Sequence, residues 1–343
     1  MASPKHTPFH LLCVLLLVLS LCKPSYGSGI VIYWGQNNVI YGQSYVESSL
    51  EETCRTGLYS FVNIAFLNTF GAGTTPDINL SNHCGGSWKP CTFLSTEIEY
   101  CQSQGIKVFI SLGGDSWTYT LIDEEDAKDV AKYLWEYFLG GQPTDGLPRP
   151  FGEAILDGVD FDIEHGSTQY YDSLAKYLHS YDNINGSRVY LGAAPQCPIP
   201  DLYLDTAIKT GLFDYVWTQF YNNPQCQYDS STDDPTNLLQ SWNKWISLLD
   251  QTGNPNTKLF LGLPAAATNA APSGGYIPPE KLAALCPSFS ASERYGGIML
   301  WSRYFDGYTG YGQQVDVDCD SGSLSRANTH GHSKLIREFA SSM

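Results

Sequence analysis

Asp157-Gly158-Val159-Asp160-Phe161-Asp162-Ile163-Glu164 decides how this chain folds. Acidic and apolar side chains alternate along it, and a β-strand has a side-chain period of two. Asp160, Asp162 and Glu164 therefore share one face, and Val159, Phe161 and Ile163 the other. A solvated edge strand with a chance acidic face is the plain alternative, but the apolar opposite face and the central position in the chain count against it. In a closed barrel of parallel strands the apolar face packs on surrounding helices. The carboxylates then point along the interior, with Glu164 at the C-terminal mouth where such barrels place their active sites. Asp is poorly suited to a strand interior, and neighbouring carboxylates cannot all ionise cheaply, so one should stay protonated at neutral pH. A carboxyl of that kind is an acid catalyst.

Outward from this strand the same grammar repeats. Short β-rich runs occur at Ile30–Tyr33, Phe61–Ala65, Lys107–Ser111, Gly158–Ile163, Val189–Ala194, Tyr215–Gln219, Leu259–Leu263 and Ile298–Trp301, followed by Gly, Asn, Pro or Ser and then a helical pattern. Ala127, Val130, Ala131, Leu134 and Phe138 fall at helical spacing, with Glu124, Asp126, Lys128 and Lys132 on other faces. Weaker patterns occupy residues 170–180, 238–249 and 335–340. Eight strands alternating with helices predict an α/β fold, a single (β/α)8 TIM barrel; a doubly wound sheet is the structural rival. Residues 140–152 and 266–279, rich in Gly and Pro, read as surface loops, and no boundary divides the chain.

The ends and the charge narrow the function class. Lys5 precedes an apolar stretch of 11 residues, Leu11 to Leu21, and Ser25-Tyr26-Gly27 resembles a cleavage site. This stretch is too short to span a bilayer, which needs about 20 residues, so residues 1–27 read as a signal peptide and 28–343 as the mature catalytic domain with a C-terminal extension. The full chain carries 19 basic and 35 acidic groups, a net −16. Loss of Lys5 and Lys23 makes the mature chain −18. Without clustered cations, nucleic acid and anionic membrane surfaces are excluded as partners. Eight cysteines remain in an oxidising compartment, and most are expected in disulfides. No C-x-x-C pair or suitably placed His supports a metal site. Asn79-Leu80-Ser81 and Asn185-Gly186-Ser187 are glycosylation acceptors by pattern.

Asp157 to Glu164 matches the D-x-x-D-x-D-x-E motif of glycoside hydrolase family 18. Around it, Ile32 to Asn37, Val62 to Leu67, Ser111-Leu112-Gly113-Gly114, Ala194 to Pro198, Gln219 to Pro224 and Leu300-Trp301-Ser302 make the chain resemble plant class III chitinases of the hevamine type. The resemblance runs from Gly29 to about Tyr311. It implies a secreted, extracellular or vacuolar endochitinase, a monomer without cofactor or metal, that cleaves the β-1,4 links of chitin or N-acetylglucosamine oligomers with retention. The nucleophile is the substrate's own acetamido oxygen.

The resemblance assigns Glu164 as acid and then base, Asp162 as the group orienting the acetamido N–H, and Asp160 as its partner through a shared proton. Asp157 is left a supporting role. Trp217, Gln219 and Tyr221 share one parity of their strand, so Tyr221 can face Glu164 and donate to the attacking carbonyl. Trp301 would form a hydrophobic floor under the sugar, with Tyr33, Gly114, Gln219 and Asn222 as further substrate-binding residues; for Trp217, core packing and sugar contact are equal alternatives. The resemblance also pairs Cys54 with Cys101, Cys84 with Cys91 and Cys197 with Cys226. Cys286 and Cys319 lie outside that pattern, as a fourth bridge or as free thiols. It further implies cis peptides at Ala65-Phe66 and Trp301-Ser302.

One departure bears on function. Where the family has a small Gly-rich turn after Gly113-Gly114, this chain has Asp115-Ser116-Trp117, and Trp117 would either extend a sugar-stacking surface or fill a subsite. A filled subsite would leave a non-hydrolytic relative: a lectin, a seed storage protein or a xylanase inhibitor. The presence of Glu164, Asp162 and Tyr221 favours the enzyme. Asp316, Asp318 and Asp320 share one face of an extended segment, but a solvated acidic tail explains them better than calcium binding.

Overall fold

The computed structural model describes residues 29–36, 45–84, 91–315 and 317. Its strands are β1 (Gly29–Trp34), β2 (Phe61–Thr69), β3 (Asp77–Ile78), β4 (Lys107–Gly114), β5 (Gly158–Ile163), β6 (Tyr190–Ala193), β7 (Tyr215–Gln219), β8 (Lys258–Pro264) and β9 (Tyr295–Trp301). All but β3 are parallel and follow one another around a ring; β1 pairs with both β2 and β9, which closes it. Pairing on both edges of β1 excludes the doubly wound sheet, because an open sheet leaves two strands bonded on one side only. The short β3 runs antiparallel to the end of β2. It was not foreseen, since two residues carry no readable period.

The helices are α1 (Leu50–Arg55), α2 (Leu94–Ser103), α3 (Glu124–Tyr137), α4 (Tyr171–Ser180), α5 (Asp205–Ile208), α6 (Thr236–Gln251), α7 (Pro279–Ser290), α8 (Arg303–Thr309) and α9 (Tyr311–Gln314). The stripe of α3 buries Ala127, Val130, Ala131 and Leu134 against the sheet, and Asp123 caps its N-terminus by accepting from Asp126 N at 2.8 Å. At α1, Ser49 and Glu52 form a reciprocal capping box. The eighth strand starts at Tyr295, three residues before the expected Ile298, because Gly296 and Gly297 hide its pattern.

Two cores result. The outer one lies between sheet and helices, and the inner one fills the barrel. Phe61 packs edge to face or tilted against Phe109, Tyr215, Trp217 and Phe260 across the interior, with centroids 4.8–6.2 Å apart, and Tyr215 stacks on Trp217. That aromatic plug seals the barrel below the carboxylates, so any cleft must open at the C-terminal mouth. Residues 140–152 form the expected surface loop, tied down by the buried Arg149 guanidinium, which donates to the carbonyls of Leu139, Gly141 and Ala154. The segment after β8 lies at the mouth, where Asn269, Ala270 and Pro272 border the cleft.

Cys54 is joined to Cys101, Cys84 to Cys91 and Cys197 to Cys226. Cys286 is disulfide-bonded as well. Cys319 lies outside the described residues, as do residues 1–27, expected as a signal peptide, Asn37, the acids at 316, 318 and 320, and the helical pattern expected at 335–340. Ala65-Phe66 and Trp301-Ser302 are both cis.

Candidate active site

The pairing of β5 with β4 sets Ser111 opposite Asp160 and Gly113 opposite Asp162, so the acidic face of β5 looks into the barrel beside small side chains. Asp160 is fully buried. One of its oxygens accepts from Tyr33 Oη at 2.7 Å and Ser111 Oγ at 2.6 Å, and the other from Trp217 Nε1 at 2.7 Å. Burial pushes this carboxyl up to about 6, and the three hydrogen bonds restrain the rise. Donors from β1, β4 and β7 thus meet Asp160 from three sides, one pleat below Asp162, the carboxyl with which it is expected to share a proton.

Asp162, one pleat higher, accepts from Gln219 Nε2 at 2.9 Å, and the same amide donates to the Ala194 carbonyl at 3.0 Å. Burial and the charges of Glu164, Asp160 and Asp201 hold Asp162 well above the usual carboxylate range. Glu164 stands at the mouth, half-buried; desolvation and the Asp115 charge push it up to about 7, against an opposing effect of His165. Tyr221 is buried beside all three acids, and desolvation and their charge hold its phenol protonated.

These groups surround a cleft of about 500 Å³, whose walls include Phe66, Asp162, Glu164, Gln219, Tyr221 and Trp301. Asn222 is on the rim, its Oδ1 accepting from Ser273 N at 3.0 Å. Asn79, of the first sequon, also borders the cleft, with its Oδ1 held by Ser81 N at 2.9 Å. Two expected substrate-binding residues are displaced from the surface. Tyr33 is 2% exposed, beneath the rings of Phe66 and Trp301, and spends its hydroxyl on Asp160. Gly114 lies behind Phe66, where a Cβ would come within 2.7 Å of the ring, and its carbonyl accepts from Tyr119. Trp217 is wholly buried and bonded to Asp160, which decides it as core. Asp157 sits at the opposite end of β5, accepting from Val108 N and Gln102 Nε2 at 2.9 and 3.0 Å, far from the chemistry.

Four functional neighbours escaped the sequence reading. Ser111 could have been found, since it shares the interior parity of β4. Asp201 is buried and takes backbone N–H donors from Gln196, Tyr203 and Leu204. His165 directly follows Glu164 and places Nε2 2.6 Å from Asp115 Oδ1. Tyr119 pins the end of β5 by accepting from the backbone N of Glu164 and of His165. The last three depend on loop conformation, which carries no period. Asp115 and Ser116 line the cleft, while Trp117 stands outside it, so the departure from the Gly-rich turn does not fill a subsite.

The model of the glycosyl hydrolases family 18 matches residues 29–280, which contain the whole carboxylate strand and the β7 residues facing it. The chain belongs to this family. Among family 18 relatives, an acidic endochitinase of Vitis vinifera is 49% identical over 316 residues, 91% of this chain and 98% of that one. A chitinase from Ipomoea carnea superposes with a TM-score of 0.74 at 50% identity, covering 83% of this chain and 98% of its own. A xylanase and α-amylase inhibitor from Scadoxus multiflorus superposes equally well, at 0.74 and 40% identity over 84% and 97% of the two chains. Family 18 membership and this barrel are thus shared by proteins named for catalysis and for inhibition, and the site itself has to separate them.

Proposed function

We propose that this protein is a secreted endochitinase, its leader removed at about Gly27, that hydrolyses β-1,4 links between N-acetylglucosamine units with retention. The observation that carries the reading is the ladder Asp160, Asp162 and Glu164 on one strand, with Tyr221 and Gln219 facing it across a cleft floored by Trp301. The endochitinase names of the relatives support the same substrate class.

In this reading a sugar rests on Trp301 with its acetamido group between Asp162 and Tyr221. One Asp162 oxygen accepts the acetamido N–H, and Tyr221 donates to the carbonyl oxygen as it attacks C1. Glu164 gives its proton to the glycosidic oxygen, so the C1–O bond breaks as the oxazolinium ring closes. The resulting carboxylate then takes a proton from water, whose oxygen attacks C1 from the vacated side and reopens the ring with retention. Asp160 keeps charge beneath Asp162, and Gln219 fixes the orientation of that carboxyl.

The test is hydrolysis of N-acetylglucosamine hexamer by the wild type and by Glu164→Gln. Shorter oligomers released by the wild type, at a rate cut at least about 100-fold in the variant, are the expected result. Equal, negligible turnover in both would remove the enzyme reading, and tight oligomer binding by both would make the protein a lectin.

A further inference from the structure

We propose that Trp117 is a sugar-binding platform beside the Glu164 rim of the cleft, which takes an outlying N-acetylglucosamine unit of an oligomer too long for the central cleft. The inference rests on the chitinase reading above and adds a specificity-determining residue to it. A single exposed apolar side chain needs no explanation. Trp117, however, is 78% exposed and its indole is stacked on the His165 ring, centroids 4.0 Å apart and planes 28° apart. One face is therefore supported and the other is presented to solvent. The support is itself anchored, because His165 Nε2 lies 2.6 Å from Asp115 Oδ1. An indole held in advance loses little freedom when a ligand arrives.

Position identifies the ligand. Asp162, Gln219, Tyr221 and Trp301 enclose the sugar whose acetamido group attacks, and Glu164, which protonates the departing oxygen, marks where that sugar ends. Asp115 and His165 flank Glu164, so residues 115–117 lie at the Glu164 rim of the cleft, outside the place of that sugar. The cleft also continues that way. Ser116 lines the cleft and its Oγ is 2.7 Å from Thr118 Oγ1, while Trp117 and Thr118 line a neighbouring depression of about 480 Å³ that includes Thr69, Thr74 and Phe70. A flat aromatic face among hydroxyl-bearing side chains suits a pyranose, which has an apolar C–H face and a polar rim. The other large exposed apolar side chain of this loop, Ile122, is not among the residues that line the depression with Trp117.

The test compares Glu164→Gln with Glu164→Gln/Trp117→Ala by calorimetric titration with N-acetylglucosamine trimer and hexamer. Truncation is expected to weaken hexamer binding about tenfold, to leave the trimer nearly unchanged, and to be largely repaired by Trp117→Tyr. In the otherwise wild-type enzyme, Trp117→Ala should raise KM for the hexamer and leave the alkaline limb of its pH profile in place. Unchanged hexamer affinity overturns the proposal. So does an equal loss for both oligomers with a displaced limb, which would mean that Trp117 only positions His165. Because titration needs no turnover, a wild type that fails to hydrolyse removes the proposed activity while these affinities still decide the platform.

Discussion

The phenol oxygen of Tyr119 lies 2.9 Å from the backbone N of Glu164 and accepts its hydrogen. It accepts equally from His165 N and donates to the Gly114 carbonyl, also at 2.9 Å, so one buried hydroxyl ties the ends of β4 and β5 together. The catalytic carboxylate is thereby fixed through its main chain rather than its side chain. Tyr119→Phe removes all three bonds and leaves two part-buried N–H groups and a carbonyl short of a partner. It should cost about 1–3 kcal/mol of stability and about tenfold in kcat, because small displacements of an acid are costly to proton transfer. Denaturant melts and hexamer kinetics measure the two, and an unaltered kcat would mean that the strand end holds itself.

A similar argument concerns the support beneath Asp162. Gly192 lies opposite Asp160 in the β5–β6 pairing, and a Cβ there would come within 2.3 Å of the Trp217 ring. Glycine at that position lets the indole reach Asp160. Gly192→Ala and Trp217→Phe should therefore fail in the same way, the first by pushing the indole aside and the second by deleting its N–H. Loss of this donor raises Asp160 further above its value of about 6, and kcat should fall several-fold in both variants. Intrinsic fluorescence on Gly192→Ala, with red-shifted emission as Trp217 loses its packing, checks the shared cause.

The bridge between Cys197 and Cys226 spans 29 residues and links the loops that follow β6 and β7. The carbonyl of Cys197 also accepts from Ser241 Oγ and Trp245 Nε1, both at 3.0 Å, so α6 is fastened to the same point. Replacing both cysteines by Ser should cost about 3–4 kcal/mol by loop-closure entropy, against about 2–3 kcal/mol for the 7-residue bridge of Cys84 and Cys91. Thermal melts of the two double variants give the order, and a reversed order would mean that strain in the native loops, not chain entropy, dominates.

What could be read from the sequence followed period. The alternation in β5, the parity of Trp217 and Gln219 in β7 carried on to Tyr221 just past its end, and the stripe of α3 each placed side chains on the correct face, because regular backbone converts spacing into direction. Position along an axis was harder. Tyr33 and Trp301 have the same inward parity, yet only Trp301 reaches the cleft, since Tyr33 lies one layer deeper with its hydroxyl on Asp160. Groups delivered by loops could not be read at all: Tyr119, Asp201 and His165 depend on turns whose geometry no alternation encodes.

Asp162 carries a stability cost that the function explains. Its folded-state pKa lies well above the unfolded value, raised by burial and by Glu164, Asp160 and Asp201. A group raised in this sense contributes most favourably below its unfolded pKa of about 3.9, and that contribution is lost as pH climbs through the folded value. Asp162→Asn keeps an oxygen for Gln219 and removes the ionisation. The variant should thus be more stable than wild type at pH 7 by about 1–2 kcal/mol, with the difference shrinking to nothing near pH 4, while kcat falls. Melting temperatures across that range test it, and a variant less stable at every pH would show that hydrogen bonding outweighs the charge cost.

The acid itself sets the alkaline limit of activity. Glu164 must hold a proton when substrate binds, and desolvation with the Asp115 charge places its pKa at about 7. Activity should accordingly be full on the acid side of that value and fall tenfold per pH unit above it in kcat/KM. The charges that act on Glu164 include Asp115 and Asp201, which raise it, and His165, which lowers it, besides its mutual repulsion with Asp162. Asp115 is the exposed member of this group, so its influence is the one that salt can screen. Both Asp115→Asn and added salt should move the limb to lower pH, whereas Asp201, buried and tied to three backbone N–H groups, should be insensitive to salt. A limb that stays in place when Asp115 is neutralised would mean that burial and the inner charged groups set the acidity of Glu164, and that the rim charge has no part in it.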